Sequence, residues 1–89
     1  MKVDLHGLPL SDAKLQAQIS VAEAWESSKS FIEIVHGHNL GTVIKEYIQS
    51  EEGLQRDIKR IYPEISELRL SDRGLGSTIV KFRRKQFGS

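Results

Sequence analysis

Cysteine is absent from the 89 residues. That absence excludes a disulfide scaffold, a thiol nucleophile and a cysteine zinc site. Apolar runs stop at about four residues, far short of the ~20 that a membrane-spanning helix needs. The opening Met1-Lys2-Val3-Asp4 has no apolar stretch of signal-peptide length, so a cytoplasmic protein outside the membrane is the expectation. No repeat, low-complexity tract or linker interrupts the chain. What is present is ordinary: 38% hydrophobic and 28% charged residues, which is the balance of a globular domain. The length suits one core that needs no staples. One domain is expected over 1–89, with its core at about 2–84 and a tail at 85–89.

The formal net charge of +1 conceals an asymmetry. Residues 1–55 hold four Lys or Arg against eight Asp or Glu, a net of −4, whereas 56–89 hold nine against four, a net of +5. A basic C-terminal third suits nucleic acid or another polyanion.

Periodicity alternates between strand and helix. Lys2 to His6 alternates as a strand, with Val3 and Leu5 on one side and Lys2, Asp4 and His6 on the other. Gly7 ends it, and Ser11 or Asp12 is the expected helix cap. The helix runs to about Ser27, its stripe carried by Leu15, Ile19, Ala22 and Trp25 or Glu26 and widened by Ala13, Ala17, Val21 and Ala24. Phe31 to Val35 is a second strand, apolar except for Glu33. A loop over 36–41 leads to a helix from Thr42 to about Ser50. Glu51 to Gly53 breaks it, Gln55 to Ile61 resumes helical spacing, and Pro63 stops it. Strands at 65–70 and 78–83, joined by a short turn, form an antiparallel hairpin. The expected fold is α/β: a two-layer β-α-β-α-β-β sandwich with a mixed four-stranded sheet.

All three histidines fall at the ends of the first two strands. In a βαβ unit those ends share one edge of the sheet, where open α/β sheets bind ligands. Asp4 and His6 lie two apart in a strand and face the same way, so the carboxylate can orient the imidazole for proton transfer. The plainer reading is that Asp4 makes a turn or a surface pair and His6 is simply half-buried. Gly37, Asn39 and Gly41 tolerate unusual backbone geometry, and their loop opens on a helix N-terminus at Thr42, which suits a phosphate. A simple strand-to-helix turn would need the same glycines. Asp4, His6, His36 and His38 are metal-ligand types, but their spacing matches no zinc signature, and no metal ligand is assigned. A Mg²⁺ or Mn²⁺ ion held at Asp4 during catalysis stays open. Lys81, Arg83, Arg84 and Lys85 can track a phosphate backbone or guard an edge strand against aggregation.

Three segments together carry a family resemblance. Asp4-Leu5-His6-Gly7, His36-Gly37, and Gly74-Leu75-Gly76-Ser77-Thr78-Ile79-Val80 resemble, in order and spacing, the motifs of the Smr (small MutS-related) domain, over about residues 2–84. The resemblance implies a sandwich similar to the C-terminal domain of a translation initiation factor. It also implies nucleic-acid binding, with nicking or endonucleolytic cleavage of DNA or RNA in many members. By position, the cleavage-linked acid and histidine fall on Asp4 and His6. The second motif falls on His36, Gly37, His38 and Asn39. Asn39 departs from the usual glycine, Gly41 takes the second glycine of the longer form, and His38 replaces a residue that is commonly Lys or Arg. The stretch 51–57 is longer than usual.

The first expectation is therefore a small nuclease acting on DNA or RNA. Asp4 and His6 would form its acid–base pair, with His36 as a second catalytic group. Gly7, Gly37, His38, Asn39, Gly41 and Thr42 would hold phosphate, together with Lys81, Arg83, Arg84 and Lys85. The alternative is a non-catalytic module that binds structured RNA or branched DNA through the basic C-terminal strand. Either could act as a stand-alone domain with a protein partner or as a homodimer.

Overall fold

The computed structural model describes residues 1–37, 43–65, 68–72, 74 and 76–83. Strand β1 (Lys2–Asp4) leads through helix α1 (Leu10–Glu26) to β2 (Phe31–Val35). Helices α2 (Val43–Gln49) and α3 (Leu54–Ile61) follow, then β3 (Leu68–Asp72) and β4 (Ser77–Phe82). The sheet runs β1-β2-β4-β3. The β1–β2 pair is parallel, and β2–β4 and β3–β4 are antiparallel. The mixed four-stranded sandwich expected from the sequence is thus present. Its second helical stretch is divided in two, so the order is β-α-β-α-α-β-β.

Gly53 makes that division. A Cβ at this position would collide with the Tyr47 carbonyl oxygen, so only glycine lets α3 turn back against α2 this closely. All three helices contact one another and form one layer. Ile32, Ile34, Val80, Leu68 and Phe82 face that layer from the sheet. The opposite face of the sheet carries Lys2, Asp4, Phe31, Lys81, Arg69 and Ser71, all exposed.

Three local expectations are corrected. The first concerns which face of α1 is buried. Ala13, Ala17, Val21 and Ala24 are fully buried, whereas Leu15 and Ile19 are exposed at 59% and 38%. Small residues let the helix axis approach its neighbours, so the alanine stripe faces inward and the larger side chains rim it. Trp25 is half-buried and meets Phe82 edge to face, with ring centroids 5.5 Å apart.

The second concerns the cap. Helix α1 starts at Leu10 with Pro9 in the cap position and no side-chain cap bond. The Pro9 carbonyl receives the Ala13 amide at 2.9 Å, so Ser11 and Asp12 lie inside the first turn. At the other end Ser28 adopts φ 60°. Its amide donates to the Trp25 carbonyl and the Lys29 amide to that of Ala24. This is a Schellman closure with serine where glycine is usual.

The third is the start of β3. Ile65 was expected inside it, but the Ile65 amide donates to the Tyr62 carbonyl, and its buried side chain seals the core after α3. An amide spent on that turn cannot enter a ladder.

Among the described residues, no helix is long and apolar enough to cross a membrane.

Candidate functional site

Asp4 is the last residue of β1. The Leu5 amide still donates to the Val35 carbonyl at 2.7 Å, so the chain keeps strand geometry one residue further. Leu5 is therefore buried, while Asp4 and His6 emerge on the outer face. The His6 amide donates to Asp4 Oδ1 at 3.0 Å, and His6 Nδ1 lies 3.2 Å from the same oxygen. A carboxylate oxygen accepts, so in this contact Nδ1 carries the proton. Both side chains are open to solvent, at 70% for His6 and 58% for Asp4. The backbone hydrogen bond from His6 holds the Asp4 carboxyl below its ordinary range, opposed by desolvation and aided by the His6 ring and Lys2. His6 Nε2 has no hydrogen-bond partner among the described residues.

His36 follows β2 and is placed very differently. It is buried, at 6% exposure. Its Nδ1 lies 3.0 Å from the Gly37 carbonyl oxygen, an acceptor only, so Nδ1 is the donor. Its Nε2 lies 2.9 Å from Thr78 Oγ1 on β4. Gln49 Nε2, at the end of α2, donates to the same Thr78 oxygen at 2.9 Å and also to Asp72 Oδ1 at the end of β3. In an uncharged ring every group of this chain is satisfied: Gln49 donates to Thr78, and the Thr78 hydroxyl donates to His36 Nε2. No buried side-chain polar atom lacks a partner among the described residues. The network ties α2, β3 and β4 to the end of β2.

Gly37 links the two histidines. It adopts φ 76°, and a Cβ there would lie 3.3 Å from the His6 Cβ. The His36 and Gly37 amides both donate to the Gly76 carbonyl, at 2.8 and 3.0 Å. Gly37 thus supplies room beside His6, and its amide is already engaged. Gly7 is exposed at φ 82° with nothing near a Cβ. Lys81, on β4, and Arg83, just beyond it, are exposed. His38, Asn39, Gly41, Thr42, Arg84 and Lys85 lie outside the described residues.

The structure therefore brings Asp4, His6 and Gly37 together, with His36 beneath them, and sets Lys81 and Arg83 further along the outer face. Sequence reasoning missed Gln49 and Thr78. A polar residue at an inward position of an otherwise apolar strand was the available signal for Thr78; Gln49 gave none. Among the described residues, no group of three or more His, Asp or Glu side chains converges as a zinc site requires. A cavity of about 810 Å³ opens between α3 and β3, lined in part by Gln55, Lys59, Ile65 and Leu68. It touches neither histidine.

The family model for the Smr domain matches residues 3–83. Among solved structures, the chain is similar to the Smr domain of MutS2 from Thermus thermophilus, with a TM-score of 0.61 and 22% sequence identity over 93% of this chain and 98% of that one. At that identity the likeness concerns the fold. A comparison with curated proteins finds no match.

Proposed function

The chain belongs to the Smr domain family, and from that premise we propose that it binds nucleic acid and cuts or nicks a phosphodiester strand at the Asp4–His6 pair. The family is known as a nicking and nucleic-acid-binding module. The observation that carries the site assignment is the exposed Asp4–His6 contact at 3.2 Å.

With Nδ1–H turned to Asp4, the Nε2 lone pair of His6 faces solvent. It takes the proton of an attacking hydroxyl as the new P–O bond forms, while the P–O bond to the leaving oxygen breaks. On RNA the nucleophile is the adjacent 2′-hydroxyl; on DNA it is water. The histidinium then returns the proton to the leaving oxygen. Asp4 stabilises the charged ring and fixes its tautomer. A Mg²⁺ or Mn²⁺ ion, if bound, would be held by Asp4 with the substrate phosphate and would lower the charge on the phosphoryl oxygens.

For His36 the geometry favours a positioning role over the catalytic one expected from the sequence. A buried ring with both nitrogens engaged holds Gly37 where it leaves space for His6. Lys81 and Arg83 are assigned phosphate contacts. The same role is carried forward for Gly7, His38, Asn39, Gly41, Thr42, Arg84 and Lys85 on their sequence positions. The proposal extends to a cytoplasmic setting, with a protein partner or second copy bringing the substrate.

The exposed cations of the outer face also favour a second reading, in which the domain binds without cutting. Labelled RNA, linear DNA and supercoiled plasmid, each incubated with EDTA or with Mn²⁺, separate the two. Under the nuclease reading wild-type protein cuts at least one substrate, His6→Ala does not, and both bind it equally. Binding with no cleavage above the His6→Ala level on any substrate would leave the binding module.

A further inference from the structure

On the outer face of the sheet, Phe31 and Arg69, to which the proposed chemistry gives no role, lie in one row with Lys81. Phe31 pairs with Lys81, and Lys81 with Arg69. An aromatic ring and two cations thus lie side by side across β2, β4 and β3. All three are exposed, Phe31 at 39%. Ile32 and Ile34 on the same strand are completely buried, so the strand spends its other face on something besides the core. The next row is Lys2, Glu33, Ile79 and Ser71, and the row after it is Asp4, Val35 and Ser77. Ile79 and Ser77 are buried and floor the face between longer side chains. Among the described residues, Lys2, Arg69, Lys81 and Arg83 outnumber the carboxylates Asp4 and Glu33 there.

From this arrangement we infer that the outer face is a platform for single-stranded nucleic acid, with an unpaired base stacked on Phe31 and flanking phosphates held by Lys81 and Arg69. The inference deepens the nucleic-acid reading above and rests on it. A duplex keeps its bases stacked on one another and offers a protein surface mainly phosphates and groove edges. An exposed ring with two cations to one side of it gains nothing from it. An unpaired base has a free π-face, and base-on-aromatic stacking beside backbone-tracking cations is how strands are held without sequence preference. Strand geometry also gives a distance. Phe31 is four residues from Val35, the partner of Asp4, so the Phe31 row lies about 13 Å along the strands from the Asp4 row. A few nucleotides bridge that span, and a base anchored at Phe31 brings a phosphate of the same strand to His6.

The test is fluorescence anisotropy with labelled oligothymidylate of about 12 nucleotides and with the same strand annealed to oligoadenylate. Wild-type protein is expected to favour the single strand. Phe31→Ala and Phe31→Leu should each weaken its binding about 5- to 30-fold, and Phe31→Tyr should restore it to within about twofold. Leucine keeps apolar bulk at the position without the π-face, so its loss is not one of folding, and thermal midpoints verify this for each variant. Arg69→Gln with Lys81→Gln should lower the slope of log affinity against log salt by about 1.4. Equal or tighter binding of the duplex, or unchanged affinity in Phe31→Leu, overturns the platform while leaving nucleic-acid binding in place. No binding of either probe by wild-type protein sinks that underlying reading, and the platform with it.

Discussion

Two histidines, each followed by glycine, end two neighbouring parallel strands, yet their environments are opposite. His6 is 70% exposed and, among the described residues, held on one side only, by Asp4. His36 is buried, with one nitrogen on the Gly37 carbonyl and the other on Thr78. The difference comes from strand parity and from neighbours. His6 falls on the outward phase of β1. His36 falls on the inward phase of β2, where Thr78, itself held by Gln49, meets its second nitrogen. A ring with a free nitrogen in solvent can exchange protons with a substrate. A ring with both nitrogens engaged in the interior fixes geometry. The same residue type at one sheet edge thus divides into a group suited to chemistry and a group suited to support.

Breaking each histidine should produce opposite results. The largest effect is expected for His6→Ala, which should lower cleavage about 10²- to 10⁴-fold while changing unfolding free energy by less than about 0.5 kcal/mol, as exposed sites do. His36→Ala should cost about 2–4 kcal/mol in chemical denaturation, because it opens a cavity and strands the Thr78 and Gly37 partners. Gly37→Ala sharpens the link between them. Its positive φ and the nearby His6 Cβ make the variant less stable by about 1–2 kcal/mol, and cleavage should fall further than stability alone accounts for.

A smaller effect tests whether burial governs the other polar cluster in the same way. Tyr47 donates to buried Asp57 at 2.8 Å and accepts from Gln18 at 2.9 Å. Burial, reinforced by Asp57 and opposed by Gln18, pushes the Tyr47 hydroxyl up to about 12 from 10.0. The unfolded chain therefore loses this proton first. Stability should fall as pH rises from 10 towards about 12, and Tyr47→Phe should flatten that slope in alkaline denaturation curves. The smallest effect is expected at Ser28, where Ser28→Gly relieves a left-handed serine and should stabilise the protein by about 0.5–1 kcal/mol in the same assay.

Much of this was legible in the sequence where the information is local. The bounds of β2 follow from a pentapeptide that is apolar except for Glu33 and lies between polar residues, and the Asp4–His6 pair follows from two-residue spacing in a strand. The buried face of α1 was misjudged because hydrophobic size favoured Leu15 and Ile19, while close packing selected the alanines. Sequence alone gives both histidines a catalytic role because the partner that distinguishes His36 lies 42 residues away, on β4. The Phe31–Lys81–Arg69 row is likewise invisible without strand register, since it joins three separate segments.

The most direct test of the division between the two histidines is the cleavage rate per folded molecule of His6→Ala and His36→Ala, measured side by side on a substrate that the wild-type protein cuts. Folded fractions come from denaturation curves under the assay conditions. The account predicts that His36→Ala, once corrected for its unfolded fraction, retains at least about a tenth of wild-type turnover, while fully folded His6→Ala falls at least about 100-fold. A folded His36→Ala that is as inactive as His6→Ala, or a His6→Ala that still cuts, would contradict it.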